Sequence, residues 1–305
     1  MKKITNSEIK KIYRSKVKPH VKSLTLERKK LLKRAIVILI VLIPVAIFIA
    51  VSFSNPAEIF DTLIFGIIIV LGITTIAIYS PYKKFKNNYK RKIIKTALEA
   101  FFPNSSYSTT ANCSQSSFNE LELFSSKANR FNSEDEISGV IGKRKFKMSE
   151  INAKRETGSG KNRHVEQIFR GFLYQVDFNK NFNADTLVQI DFAENKLGSW
   201  LGSKLQGLKS KGNRKLVKLE DVRFEKYYVV YSTDPQEARY ILSPKLMEAI
   251  MSLRAKLKRD IQFAFKHNQF FITLPTFKNY FEPRFFGPLI NVKDLKEIIY
   301  VYNVV

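Results

Sequence analysis

A single cysteine, Cys113, excludes an intrachain disulfide from these 305 residues and agrees with a reducing compartment for the part of the chain that carries it. Nothing in the surrounding TTANCSQSS supplies the base and orienting group that a catalytic thiol needs. Histidine is scarce too: His20, His164 and His267 have no partners at metal-binding spacing, so no metal site is expected. The chain has neither a Gly-x-Ser-x-Gly elbow nor a dinucleotide fingerprint, and no two carboxylates are paired by sequence for acid/base work. We therefore expect no cofactor and assign no catalytic residue; the sequence specifies no reaction.

Acidic residues are few where basic ones cluster. Lys and Arg total 52 against 27 Asp and Glu, a net charge of +25, which calls for nucleic acid, anionic lipid or an acidic partner. Residues 1–34 carry +11, 35–80 carry −2, 81–95 carry +7 and 96–305 carry +9. Most of the excess thus flanks one block, which argues against nucleic acid and for an anionic membrane surface.

That block holds two runs with no charge, 35–57 and 62–82, each long enough as a helix to cross a hydrocarbon core of about 30 Å. Neither has the polar face of a surface helix, and Pro44 is tolerated inside a membrane helix. Only Glu58 and Asp61 interrupt the runs, so the reading is transmembrane helix 35–57, external turn 58–61, transmembrane helix 62–82. Thirteen Lys/Arg precede the hairpin, none lies in the turn and seven follow within 81–95, which puts both termini in the cytoplasm of a multi-pass inner-membrane protein. The main rival, a cleaved signal peptide, fits poorly with the long basic lead, the long core and the second span.

Residues 1–34 read as a basic cytoplasmic helix interrupted at Pro19, with Ile9, Ile12, Tyr13, Val17, Leu24, Leu31 and Leu32 as a stripe to lie on the inner leaflet or dock on the cytoplasmic domain. Residues 83–103 read as a basic stalk helix stopped by Pro103. Its Lys83, Lys84, Lys86, Lys90, Arg91, Lys92 and Lys95 are expected to meet anionic lipid.

Beyond Pro103 the pattern changes to short apolar or alternating runs rich in Phe, Tyr, Val and Ile, as in VEQIFRGFLYQVDF, TLVQIDF and IQFAFKHNQFFITLP. Residues 104–305 are accordingly expected to form one cytoplasmic α+β domain on a mainly antiparallel sheet with flanking helices, with His267-Asn268 at a hairpin turn. SPKLMEAIMSLRAKLKRD is its long helix, and LKEIIYVYNVV closes the chain as helix or strand. TGSGKN falls short of a phosphate loop, because Arg155 stands where a glycine is needed and Asn162 follows the Gly-Lys pair; it reads as a hairpin tip. From Lys196 to Leu219 there is no acid. Lys204, Lys209, Lys211, Arg214, Lys215 and Lys218, with Trp200 and Leu201 beside them, form a second candidate contact with anionic lipid.

The stretch YSTDPQEARYILSPKL reads as architecture. Asp234, Pro235 and Glu237 make a helix start with a capping box, and Ser243 and Pro244 begin the next helix. Arg239 is expected to pair with Glu225 or Glu237; an unrecognised active site near Glu225 and Arg239 is the enzyme alternative.

VEQIFRGFLYQVDFNKNFNADTLV followed by LEDVRFEKYYVVYSTDPQEARYILSPKLMEAI resembles the bacterial DUF3137 family, and PHVKSLTLERKK before paired spans is similar to members with the same anchor. Tyr228 stands where the resemblance implies phenylalanine. The resemblance implies an uncharacterised, membrane-anchored bacterial protein, sometimes encoded beside LemA-type membrane proteins, and supplies no catalytic residue. The function expected is a cytoplasmic binding or scaffolding domain on a membrane hairpin.

Overall fold

The computed structural model describes residues 4–53, 59–178, 181–191 and 210–304. The described residues divide into two compact units, Met1–Pro103 with Tyr280–Tyr300, and Asn104–Asn279 with Val301–Val305. Residues 280–300 group with the N-terminal helices.

In the helical unit, α1 (Asn6–Ile12) is capped reciprocally by Thr5 and Glu8. The chain then widens by one turn at Tyr13–Val17, where the Lys18 N–H reaches back to the Tyr13 carbonyl, before α2 (Lys18–Phe53). The interruption expected at Pro19 thus falls one turn earlier. A widened turn accommodates a ring that lacks an N–H and crowds the preceding carbonyls, so the helix continues. α3 (Ile59–Tyr89) runs through Pro81, widens again at Lys90–Lys95 and ends as α4 (Thr96–Phe101).

Val17, Leu24 and Leu31 are buried at seven-residue intervals and Phe85, Tyr89, Ile93 and Ala97 at four-residue intervals, with Leu98 beside them, so each helix buries one stripe. The stripe of residues 7–34 is therefore covered within its own unit rather than offered to a surface. From Ala35 onward the pattern inverts. Ile40, Phe48, Phe65 and Ile76 are 65%, 67%, 65% and 78% exposed, so apolar side chains away from the α2–α3 seam point outward. Gly66 lets α2 and α3 approach, since a Cβ there would lie 3.2 Å from that of Ala46. Both helices are long and apolar enough to cross a membrane.

Residues 280–300 join this unit through buried Phe281, Leu289, Ile290, Leu295 and Ile298. The closing segment is a helix, α9 (Val292–Tyr302), begun by a reciprocal pair in which the Asn291 N–H donates to Asp294 (2.8 Å) and the Asp294 N–H to Asn291 (3.1 Å). Glu282 lies between Lys86 (2.7 Å) and Lys90 (3.0 Å). Lys90 is only 1% exposed, so its ammonium is held by the protein and is not available to lipid.

The second unit is a ten-stranded sheet in the order β1-β2-β3-β4-β10-β9-β5-β8-β7-β6, with every neighbouring pair antiparallel. Its long central strands are β2 (Arg130–Ile141), β3 (Arg144–Thr157) and β4 (His164–Asp177). They are followed by β5 (Thr186–Ile190), β6 (Ser210–Lys211), β7 (Arg214–Val217), β8 (Tyr228–Ser232), β9 (Gln262–Lys266) and β10 (Gln269–Pro275). β1 (Ser105–Thr110) lies at one edge.

His267 adopts φ +56° in the two-residue β9–β10 turn, and residues 158–163 form the β3–β4 tip. Alternation gives two faces. Ile151, Phe169, Leu173 and Leu187 pack under α5 (Gln115–Glu120) and the segment after it. Phe172, Tyr174, Phe263 and Phe265 are buried with the opposite parity. α6 (Val222–Glu225), α7 (Pro235–Ile241) and α8 (Pro244–Leu257) complete the unit. On α8 the buried residues are Met247, Ile250 and Leu257, with Leu246 and Leu253 half-buried.

Tyr228 stacks on Phe224 at 5.0 Å and meets Phe263 at 6.0 Å, but its buried hydroxyl has no hydrogen-bond partner among the described residues. Burial raises its pKa. Phenylalanine would fill the same space without a stranded polar atom, so Tyr228→Phe is expected to be neutral or to stabilise by about 1 kcal/mol. Denaturant unfolding of both proteins checks this; a loss above about 1 kcal/mol would mean that the hydroxyl is satisfied.

Candidate functional site

A cleft supplied with polar groups lies in the sheet unit, about 330 Å³ in volume. Strand alternation builds its floor: Ser149 of β3, Gln175 of β4 and Gln269 and Phe271 of β10 point to the same face. The Gln175 side chain donates to Gln269 at 2.8 Å. Cys113 and α5 form a wall, and the Lys266–His267 turn forms the rim.

Glu136 is buried and accepts from the Asn112 backbone N–H at 3.0 Å and its side-chain amide at 3.3 Å. Burial, with the Glu136 carboxylate adding to it, pushes the Cys113 thiol up to about 11. The thiol stays protonated at neutral pH and is no nucleophile. The Lys266 ammonium lies 3.3 Å from Asp185 and 3.4 Å from the Glu120 carbonyl, while Lys147 is exposed at the margin. The arrangement can hold a small polar ligand by hydrogen bonds and ammonium groups. It does not pair a nucleophile with a base.

The residues singled out in the sequence serve the scaffold. Asp234 caps α7, accepting from Gln236 (2.8 Å) and Glu237 (3.4 Å), with Pro235 at the first helical position. The capping box does not close. Glu237 turns outward to accept from the backbone of Asn183 (3.1 Å) and Ala184 (2.5 Å), tying α7 to the start of β5. The Asp234 N–H is satisfied by Ser232 instead. Ser243 stands at the cap position before Pro244, but its hydroxyl makes no cap bond; its carbonyl accepts from Leu246 and Met247.

Arg239 pairs with neither Glu225 nor Glu237. It donates to the carbonyls of Lys218 (3.3 Å) and Pro235 (3.5 Å), while Glu225 accepts from the Leu219 N–H at 2.8 Å. Both side chains therefore secure the segment leading from β7 to α6, because backbone groups outside the ladder need partners.

Arg214 is a second correction. It is 4% exposed and bridges Glu122 and Asp185, the latter at 3.1 Å, so it is a buried brace and not a lipid contact. Lys215 and Lys218 are exposed, and Lys211 lies in β6. Trp200, Leu201, Lys204 and Lys209 lie outside the described residues. On the stalk, Lys83, Lys84, Arg91, Lys92 and Lys95 are exposed and Lys86 is half-buried.

Sequence reasoning missed Asp135. A bulge in β2 places it at φ +57° with no exposure, where the Tyr107 hydroxyl donates to its carboxylate. The acidic run EDE inside a strand was the available signal.

Residues 167–305 match the family model described as a protein of unknown function, DUF3137. Over these residues the chain is similar to that family. The match is narrower than the resemblance drawn from the sequence, and it leaves out the N-terminal helices. The DUF3137 segment supplies β5–β10 and nearly all of β4, which are neighbours in the sheet without a gap; β1, β2 and β3 extend it at the β4 edge. No curated protein matches the chain. Among solved structures, the mycobacterial trehalose monomycolate transport factor A, TtfA, is similar at a TM-score of 0.37 and 10% identity, covering 71% of this chain and 96% of that one.

Proposed function

We propose that this protein is a member of the DUF3137 family and a membrane-anchored binding module of the bacterial inner membrane, with α2 and α3 crossing the bilayer as a hairpin and the sheet unit in the cytoplasm. One observation carries the reading: away from the seam where α2 and α3 meet, the apolar side chains of both helices are exposed. Ala35–Phe53 alone spans about 28 Å at 1.5 Å per residue. In water such a surface has no counterpart among soluble monomers; lipid covers it. The basic residues on both flanks set the orientation, and Lys83, Lys84, Arg91, Lys92 and Lys95 face the anionic leaflet.

Binding is favoured over catalysis because Glu225 and Arg239 are engaged with backbone and the Cys113 thiol is held protonated. The cleft over β3, β4 and β10 is the place of engagement, and a LemA-type membrane protein is the partner that the family resemblance suggests. In spheroplasts, tags at both chain ends are expected to resist external protease while a reporter within 55–61 is cut. A protease-sensitive C-terminal tag would overturn the reading.

A further inference from the structure

We propose that residues 284–287 are an interfacial membrane anchor, with Phe286 seated among lipid headgroups and upper acyl carbons beside the base of the hairpin. The inference rests on the reading that α2 and α3 cross a bilayer.

Two contacts fix the height of this turn along the helices. The Arg28 guanidinium donates to the carbonyls of Arg284 (3.1 Å) and Gly287 (2.7 Å). The Phe285 ring lies 5.8 Å from that of Tyr82, the last residue of the second apolar run. Arg28 precedes the first apolar run by seven residues, about 10 Å of helix. The turn is therefore held at the level where apolar surface gives way to charge.

Its ends are anchored by buried Phe281, Leu289 and Ile290, yet Phe286 is 79% exposed. Gly287 at φ +76° makes the reversal that leaves the ring outside. Lys29, Lys30, Lys33, Arg34, Lys83 and Lys84 are exposed on the flanking turns, the charge that anionic headgroups complement. An aromatic ring above an apolar helix surface and among such cations matches the chemistry of the interface. Lipid is the occupant because the turn that carries the exposed ring lies beside Tyr82, where the second apolar run ends, among the exposed cations of the flanking turns.

Trp200 is the chain's one tryptophan, so a Trp200→Phe background makes Phe286→Trp a single reporter, and Phe48→Trp serves as a control within the span. The full chain is reconstituted in phosphatidylcholine–phosphatidylglycerol vesicles carrying phosphatidylcholine brominated high or low on the acyl chain. The reporter at 286 is expected to emit at short wavelength and to be quenched more by high than by low bromine, with the control quenched more by low. A quenched control beside a reporter at 286 that ignores bromine would overturn the anchor and leave the membrane reading standing, whether water or protein covers the ring. An unquenched control would overturn both.

Discussion

Gly171→Ala is expected to destabilise the sheet by about 3 kcal/mol or more, combining a disfavoured backbone conformation with overpacking. Gly171 sits in β4 between Ile151 of β3 and Pro275 of β10, at φ +155°. An added Cβ would lie 2.0 Å from the Leu274 carbonyl oxygen and 2.9 Å from the Pro275 Cα. Those are backbone atoms of a paired strand, so relief requires β10 to move. β10 cannot move alone, because the Thr276 N–H is bonded to the Arg170 carbonyl at 2.9 Å.

Gly142→Ala is the control. Gly142 also has positive φ, in the β2–β3 turn, but a Cβ there meets nothing within 4 Å, so only the conformational cost of about 1 kcal/mol applies. Thermal unfolding of both variants in detergent separates the two terms. Equal losses would mean that β4 and β10 do not approach as described.

The second large effect is expected at Glu282. Its carboxylate holds the ammonium of Lys90, which is almost fully buried. Glu282→Leu takes this carboxylate from a buried cation and should cost about 3–5 kcal/mol, loosening residues 280–300 first. The double change Lys90→Met with Glu282→Leu removes both charges together. Because the desolvation cost of the ammonium disappears with it, the double variant should recover most of the loss. Unfolding midpoints and protease cleavage within 280–300 report the two outcomes. A double variant no more stable than Glu282→Leu would show that the site needs charge for another reason.

How far the sequence was legible follows from how local each signal is. The uncharged runs and the alternating aromatic strands declare themselves within a few residues, so the two long helices, β4, β5, the β9–β10 hairpin and α8 are read directly. β1 is not. SSYSTT buries only Tyr107, leaving too few apolar positions to mark a period. The polar first part of β2 fails for the same reason.

Long-range pairing is legible to neither eye nor period. Residues 280–300 join helices some 200 positions earlier in sequence, and nothing in RFFGPLI announces the partner. Charged residues mislead most. Lys90 and Arg214 stand in runs of cations that read as solvated or lipid-facing, and burial of one member of such a run depends on a carboxylate supplied from elsewhere: Glu282 for the first, Glu122 and Asp185 for the second. The Asp234 cap was legible because cap and helix are adjacent, whereas the diversion of Glu237 to Asn183 and Ala184 crosses 53 or 54 positions.

The central claim is the topology, and the single native cysteine makes it directly measurable. In a Cys113→Ser background, Asp61→Cys places one thiol in the first turn of α3 and Ser125→Cys places one on the sheet unit, where Ser125 is exposed. Intact cells are treated with a membrane-impermeant maleimide before and after permeabilisation. The account predicts that the thiol at 61 is labelled in intact cells and the thiol at 125 only after permeabilisation; labelling at 125 in intact cells, or at 61 only after permeabilisation, would contradict it.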